Sequence, residues 1–343
     1  MTHTKSINFT IILFLSLLAS YIASTRITFE TSSDDLIRYY SAYSSIPFYT
    51  FYEYLTWDNR EPLFQLYNLF TYKIFGEIPP NDYLFLMVLP GFIIYAVALK
   101  KISVNFQFSS LFFLSLFLPP ILMYNTQLIR QGLSFYFLFA SFLVSKKSSR
   151  NILIFISAGL HFLAVVMIII YFILHQYITK KNFIIRTISI AGIVFILMIF
   201  PFIFKSLIPL LLQIPLIGDK FAFLTQIDIS ININYLGMLC MIINTGYLFF
   251  CYPTNNSSQK FYSIILLILF LSLFSIYYEA LAQRFITFLY SFSIPCLMII
   301  LRKLLKRNLF IFAPLITICF FLIITATYLA TPSKFALFNG YFI

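Results

Sequence analysis

The sequence predicts an all-α polytopic membrane protein with about ten or eleven membrane-crossing helices, and three observations predict it. First, 61% of the 343 residues are hydrophobic and 10% are charged, at a mean hydropathy of +0.93. A soluble domain carries roughly 25% charged residues, so a chain this poor in charge has lipid as its natural solvent. Second, apolar runs of bilayer length recur along the whole chain, separated by small clusters of Lys and Arg. Third, with those clusters placed in the cytoplasm, as such residues are in membrane proteins, all 11 acidic residues fall on the opposite side. Residues 1–343 therefore read as a single integral membrane domain.

The elements follow in order. The run 7–23 follows Lys5 and reads as an uncleaved first helix, since no small-x-small cleavage site precedes a soluble domain. Further spans are expected at 83–99, 106–124, 133–144, 183–204, 235–251, 261–277, 286–301 and 309–329. The run 152–178 is long for one helix and short for two. Lys146, Lys147 and Arg150 precede it and Lys180 and Lys181 follow it, so the chain must leave the cytoplasm and return. That makes 152–178 a short hairpin of two helices with His161 near its tip. By the same rule residues 24–82 form one external loop, in which 62–75 is an amphipathic helix lying on the outer membrane surface. Residues 205–233, interrupted by Pro209, Pro215 and Gly218, form a second external loop.

The net charge of +12 does not point to nucleic acid, because the basic residues lie between spans and form no stripe on a soluble element. Cys240, Cys251, Cys296 and Cys319 lie in or at the end of apolar runs without a CxxC pair, and read as small buried hydrophobes. Eight of the acids lie between Glu30 and Asp82. Loop solubility accounts for that concentration as well as an external active site does.

Several polar groups are candidates for chemistry. Asp34 and Arg38 stand four apart, beside Asp35, Tyr39, Tyr40 and Tyr43. They form either a surface ion pair or a carboxylate held by Arg among rings that suit a sugar. Glu61 precedes Pro62 at the expected start of a helix, where its simplest role is at the positive end of the dipole. Arg130 is the only charge between Lys101 and Lys146, with Asn125, Gln127 and Gln131 around it. A charge at membrane depth is expensive and tends to be functional; interfacial snorkelling and an anionic ligand are both open. His161 is either a hydrogen-bonded core residue or a general base or phosphate donor. Glu279 and Arg284 are the only charges of a short external turn, where Arg284 either pairs with Glu279 or shares an anion with Arg130.

The pattern resembles the Wzy-type, EpsG-like polysaccharide polymerases of bacteria. The residues that carry the resemblance are Asp34, Arg38 and Tyr39; Glu61-Pro62; Arg130-Gln131-Gly132; His161; and Arg284-Phe285 followed by Tyr290. They span nearly the whole chain, and Phe162 departs from the small polar residue that many members have after the His. The resemblance implies a GT-C-like glycosyltransferase architecture in the bacterial inner membrane, with the active site facing the periplasm. It implies a polymerase that joins undecaprenyl-pyrophosphate-linked oligosaccharide repeat units, with membrane lipid around it and a chain-length regulator protein as a further partner. Arg130 and Arg284 would stabilise the leaving pyrophosphate, with Arg38, Tyr39, Glu61 and Gln131 binding substrate. The base would be Asp34, Glu279 or His161. No cofactor and no metal are expected, since there is no GxGxxG, no P-loop and no convincing metal cluster.

Other readings are an O-antigen ligase, a sugar O-acyltransferase and a lipid-linked oligosaccharide flippase. The acyltransferase needs an early membrane His, where this chain has only His3. A flippase should carry internal repeats and intramembrane charges.

Overall fold

The computed structural model describes residues 9–26, 35–57, 61–103, 108–179, 235–251, 256–274, 279–305 and 309–330, with single positions at 192, 209, 213 and 253. The expected span at 183–204 and nearly all of the loop at 205–233 lie outside the described residues. What is described is helical, and two compact units divide it: 1–170 with 305–343, and 171–304.

In the first unit, α1 (Phe9–Ser24) buries Ile12, Ser16, Ala19, Ser20 and Ala23, while Phe14, Leu17, Leu18 and Tyr21 point outward. Small residues inward and large apolar residues outward is the pattern of a helix between protein and lipid. α5 (Pro80–Ser103) packs on α1, where the Ser16 hydroxyl donates to the Phe92 carbonyl at 3.3 Å. Between them in sequence lie three shorter helices: α2 (Asp35–Ser44), α3 (Phe51–Trp57) and α4 (Pro62–Phe75).

The expected span at 106–124 is a bent pair, a 3-10 segment Ser109–Phe117 and α6 (Pro119–Gln127), turned by 50°. The cause is at the joint. Pro119 and Pro120 lack the N–H groups that would continue a single helix across Leu118. α7 (Ile129–Leu143) then runs against α8 (Lys147–Leu160), held by reciprocal bonds. Ser134 Oγ donates to the Ser157 carbonyl at 2.8 Å, and Ser157 Oγ donates to the Ser134 carbonyl at 2.7 Å.

The chain breaks after α8, within the run 152–178 where the flanking basic clusters led to an expected hairpin, and α9 (Leu163–Thr179) follows. The break is at His161 and Phe162, with His161 extended at φ −158°. His161 caps the new helix: its carbonyl accepts from the Ala164 N–H and its ring Nδ1 from the Leu163 N–H, both at 3.1 Å.

In the second unit, α10 (Tyr235–Phe250), α11 (Asn256–Phe274) and α12 (Glu279–Leu304) form a three-helix cluster. Asn244 joins α10 to α12. Its amide N–H groups donate to the Leu289 carbonyl at 3.3 Å and Ser293 Oγ at 3.1 Å, and its Oδ1 accepts from the Cys296 thiol at 3.3 Å. Returning to the first unit, α13 (Ala313–Leu329) exposes Leu315, Ile316, Ile318, Leu322 and Ile323.

Among the described residues, 80–103, 284–304 and 309–329 are long and apolar enough to cross a bilayer, the bent pair at 109–127 adds a fourth, and four shorter apolar helices accompany them. The exposed apolar side chains would form patches no water-soluble surface tolerates. The protein is an all-α polytopic membrane protein.

Two features position the site. Pro90 lies inside α5 and leaves the carbonyl of Leu86, four residues earlier, without its helical donor. The Tyr67 hydroxyl of α4 donates to that carbonyl at 2.6 Å, so a backbone group that lipid would leave unsatisfied is paired. The second feature is Gly159 on α8. A Cβ there would come within 2.4 Å of Leu63 Cδ1 on α4, so glycine permits the contact between the two helices.

Candidate functional site

α4 is built the opposite way from a helix in water. It buries Phe64, Gln65, Asn68 and Thr71 and exposes Leu66, Phe70, Ile74 and Phe75. Its polar face is turned into the protein, which supplies one wall of a cleft of about 230 Å³. Phe64, Gln65 and Asn68 come from this wall, Arg38, Tyr39 and Ala42 from α2, and Arg130 from α7.

Glu61 sits just before α4. Its carbonyl accepts from the Phe64 and Gln65 N–H groups, but its carboxylate makes no helix-capping bond. Glu61 stands at the N-cap position expected for it, but its carboxylate is engaged elsewhere. Glu61 is buried, and its Oε2 is ion-paired with Arg130 Nη1. Its Oε1 lies 3.6 Å from His161 Nε2, within ion-pair range and beyond a direct hydrogen bond. The Leu163 N–H on His161 Nδ1 assigns the ring proton of the neutral imidazole to Nε2, facing this carboxylate.

Arg130 is fixed on its other edge too. Its Nε donates to the Tyr39 hydroxyl at 3.1 Å, and its Cζ stands 4.9 Å from the Tyr39 ring centroid and 5.9 Å from that of Phe64. Arg38 Cζ is 5.3 Å from the same Tyr39 ring. Tyr39 and Phe64 meet edge to face, with centroids 5.4 Å apart. An aromatic floor thus carries two guanidinium groups, and one of them, Arg130, is paired with a carboxylate.

Below this floor a tyrosine cluster sets the position of α2. Tyr43 lies against Tyr83 with ring centroids 4.7 Å apart and planes tilted by 41°, and donates to the Gly76 carbonyl; Tyr40 donates to the Ile78 carbonyl at 2.8 Å. Gly76, at φ +69°, ends α4 in a backbone region that favours glycine. Burial, then the neighbouring Tyr72, Tyr40 and Glu77, push the Tyr43 hydroxyl up to about 12, so it remains a donor at neutral pH. Burial also pushes Tyr54 up to about 12, against the opposing bond from Asn68. Asn68 is bonded at both ends of its amide: its Nδ2 donates to Tyr54 at 3.3 Å and its Oδ1 accepts from Tyr83 at 3.1 Å.

The structure brings together Arg38, Tyr39, Glu61, Arg130 and His161 from four helices and their junctions. Gln131 follows Arg130 but does not line the cleft; it is buried, with neither amide atom hydrogen-bonded. Asn125, expected near Arg130, is turned to the Tyr136 hydroxyl at 3.0 Å. Arg284 lies half-buried on α12 in the second unit. Asp34 lies outside the described residues, as does the side chain of Glu279. Phe64, Gln65 and Asn68 were not anticipated. Their signal was present in the spacing 61, 65, 68, which puts three polar groups on one stripe of α4.

Fold and site together define a polytopic membrane protein with an aromatic cleft lined by two arginines, beside a buried ion pair. The chain belongs to the EpsG family, whose model matches residues 9–339. Neither a curated protein nor a solved structure matches it. Family membership supports a polysaccharide-polymerase-like, glycosyltransferase-type role.

Proposed function

We propose that the protein joins undecaprenyl-pyrophosphate-linked oligosaccharide repeat units into O-antigen or a related polysaccharide, at the periplasmic face of the inner membrane. The observation that carries the reading is Arg130, buttressed by Glu61 and Tyr39 at the edge of an aromatic cleft, in a chain of this family. In the reaction, a hydroxyl oxygen of the incoming unit bonds to the anomeric carbon of the growing chain. The bond from that carbon to the pyrophosphate oxygen breaks, and its electron pair leaves with the lipid carrier. Arg130 and Arg38 meet the charge that develops there, and the family resemblance makes Arg284 a further candidate for that role. The hydroxyl proton passes to Asp34 or Glu279. His161 has both ring nitrogens directed at protein groups and orients Glu61, which in turn positions Arg130. The architecture would be GT-C-like, and the chemistry would need neither metal nor cofactor.

Deletion of the chain in its host tests the activity. Expected is loss of long polymer with single repeat units retained; loss of the single units as well would identify a flippase. Complementation with Arg284→Ala should reproduce the deletion.

Orientation has its own test. In a background without native cysteines, Asp35→Cys should react with an impermeant thiol reagent from outside and Lys147→Cys should not. The reverse pattern overturns the topology.

A further inference from the structure

Gln65 lines the cleft at 5% exposure, and its Oε1 has no hydrogen-bond donor. One turn further along α4, Asn68 also lines the cleft with both ends of its amide bonded to tyrosines. The same helix face thus holds one amide consumed by the fold and one left over. A buried carbonyl oxygen without a donor is destabilising, and an apolar side chain of similar size would avoid that cost. We infer that Gln65 reads hydroxyl groups of a saccharide ring bound in the cleft. The inference rests on the polymerase reading above and deepens it by assigning the subsite.

The surroundings fit such a ring. A primary amide presents an acceptor and donors side by side, which matches two adjacent hydroxyls of a pyranose: one O–H donates to Oε1 and the neighbouring oxygen accepts from Nε2. Tyr39 and Phe64 supply the apolar surface on which the C–H face of a sugar packs. The cleft, at about 230 Å³, is smaller than the roughly 300–1,000 Å³ of sites for drug-sized ligands, so it holds one ring and not a repeat unit. Arg38 and Arg130 border the same space. The ring is therefore the one attached to the pyrophosphate, at the reducing end of the donor chain.

The test uses the full-length protein in lipid nanodiscs, with methyl hexopyranosides and their monodeoxy analogues as probes by ligand-observed NMR. Wild type should bind at least one parent pyranoside about tenfold more tightly than the analogue lacking one of the paired hydroxyls, the equivalent of one hydrogen bond. Gln65→Leu should bind parent and analogue equally. Its thermal midpoint should be equal to or above that of wild type, because the unpaired acceptor is gone; a structural role for Gln65 would lower it. Binding of inorganic pyrophosphate, displaced by Arg130→Ala and retained in Gln65→Leu, reports the anion site separately. Discrimination that persists in Gln65→Leu, or is absent from wild type, overturns the inference. The polymerase reading fails on a different observation, namely long polymer persisting in the deletion strain.

Discussion

Replacing Arg130 with alanine is expected to abolish long-chain polymer. Loss of one preorganised charge-stabilising donor lowers a rate by about 100- to 1,000-fold, and chain extension compounds that loss over successive additions. The same change strands Glu61, which is buried and ion-paired with Arg130. Breaking one side of a buried pair costs about 3–5 kcal/mol, so a single variant mixes loss of chemistry with loss of fold. The double variant Glu61→Ala with Arg130→Ala separates them: its thermal midpoint should recover towards wild type while polymer stays absent. Arg130→Lys should also fail, because an ammonium cannot span Glu61 and the Tyr39 hydroxyl with the fixed fork of a guanidinium. Gel ladders of the polymer and midpoints of the purified protein give both readouts. A normal ladder from Arg130→Ala would remove Arg130 from the reaction.

A comparably large effect is expected from Gly159→Ala, which touches no charged group. The added Cβ would meet Leu63 Cδ1 at 2.4 Å and Cγ at 2.5 Å, far inside any permitted contact, so α4 must shift or Leu63 must change rotamer. Overpacking of this kind costs about 1–3 kcal/mol. The functional loss should exceed what that cost implies. Glu61 stands two residues before Leu63 and His161 two residues after Gly159. Widening this contact therefore draws apart the carboxylate and imidazole now 3.6 Å from each other. Adding Leu63→Ala makes room for the methyl group and should restore both midpoint and chain length. A double variant no better than the single one would show that the contact does not set the site.

The sequence displayed the class of fold because lipid imposes a coarse pattern: long apolar runs and basic residues between them. It also displayed Arg130, a lone charge at membrane depth, and His161 near the tip of an apolar hairpin, each in surroundings where a polar group is expensive. It did not disclose how they meet. Glu61 looked like a helix cap, and only the α4–α8 contact at Gly159 brings it to His161. Gln65 and Asn68 were hidden for a different reason. An amphipathic pattern states that a helix has two faces but not which one is buried, and where the surroundings are lipid the polar face turns inward. Arg26, at the end of the first helix, drew no attention in the sequence and is nearly fully buried. The bend at Leu118 was legible in principle from Pro119-Pro120, whereas Pro90 and Pro295 lie within continuous helices.

Pro90 also bears on which parts of this protein are free to vary. The proline leaves an acceptor on α5 that only a neighbour can satisfy, and the neighbour is Tyr67, on the helix that carries Gln65 and Asn68. Proline and tyrosine are thereby bound into one inheritable unit. Loss of the tyrosine hydroxyl is tolerable once the proline has gone, and harmful while it remains. Divergence of the cleft wall is constrained by a residue that does not line the cleft, and changes at positions 67 and 90 should be found in lineages together.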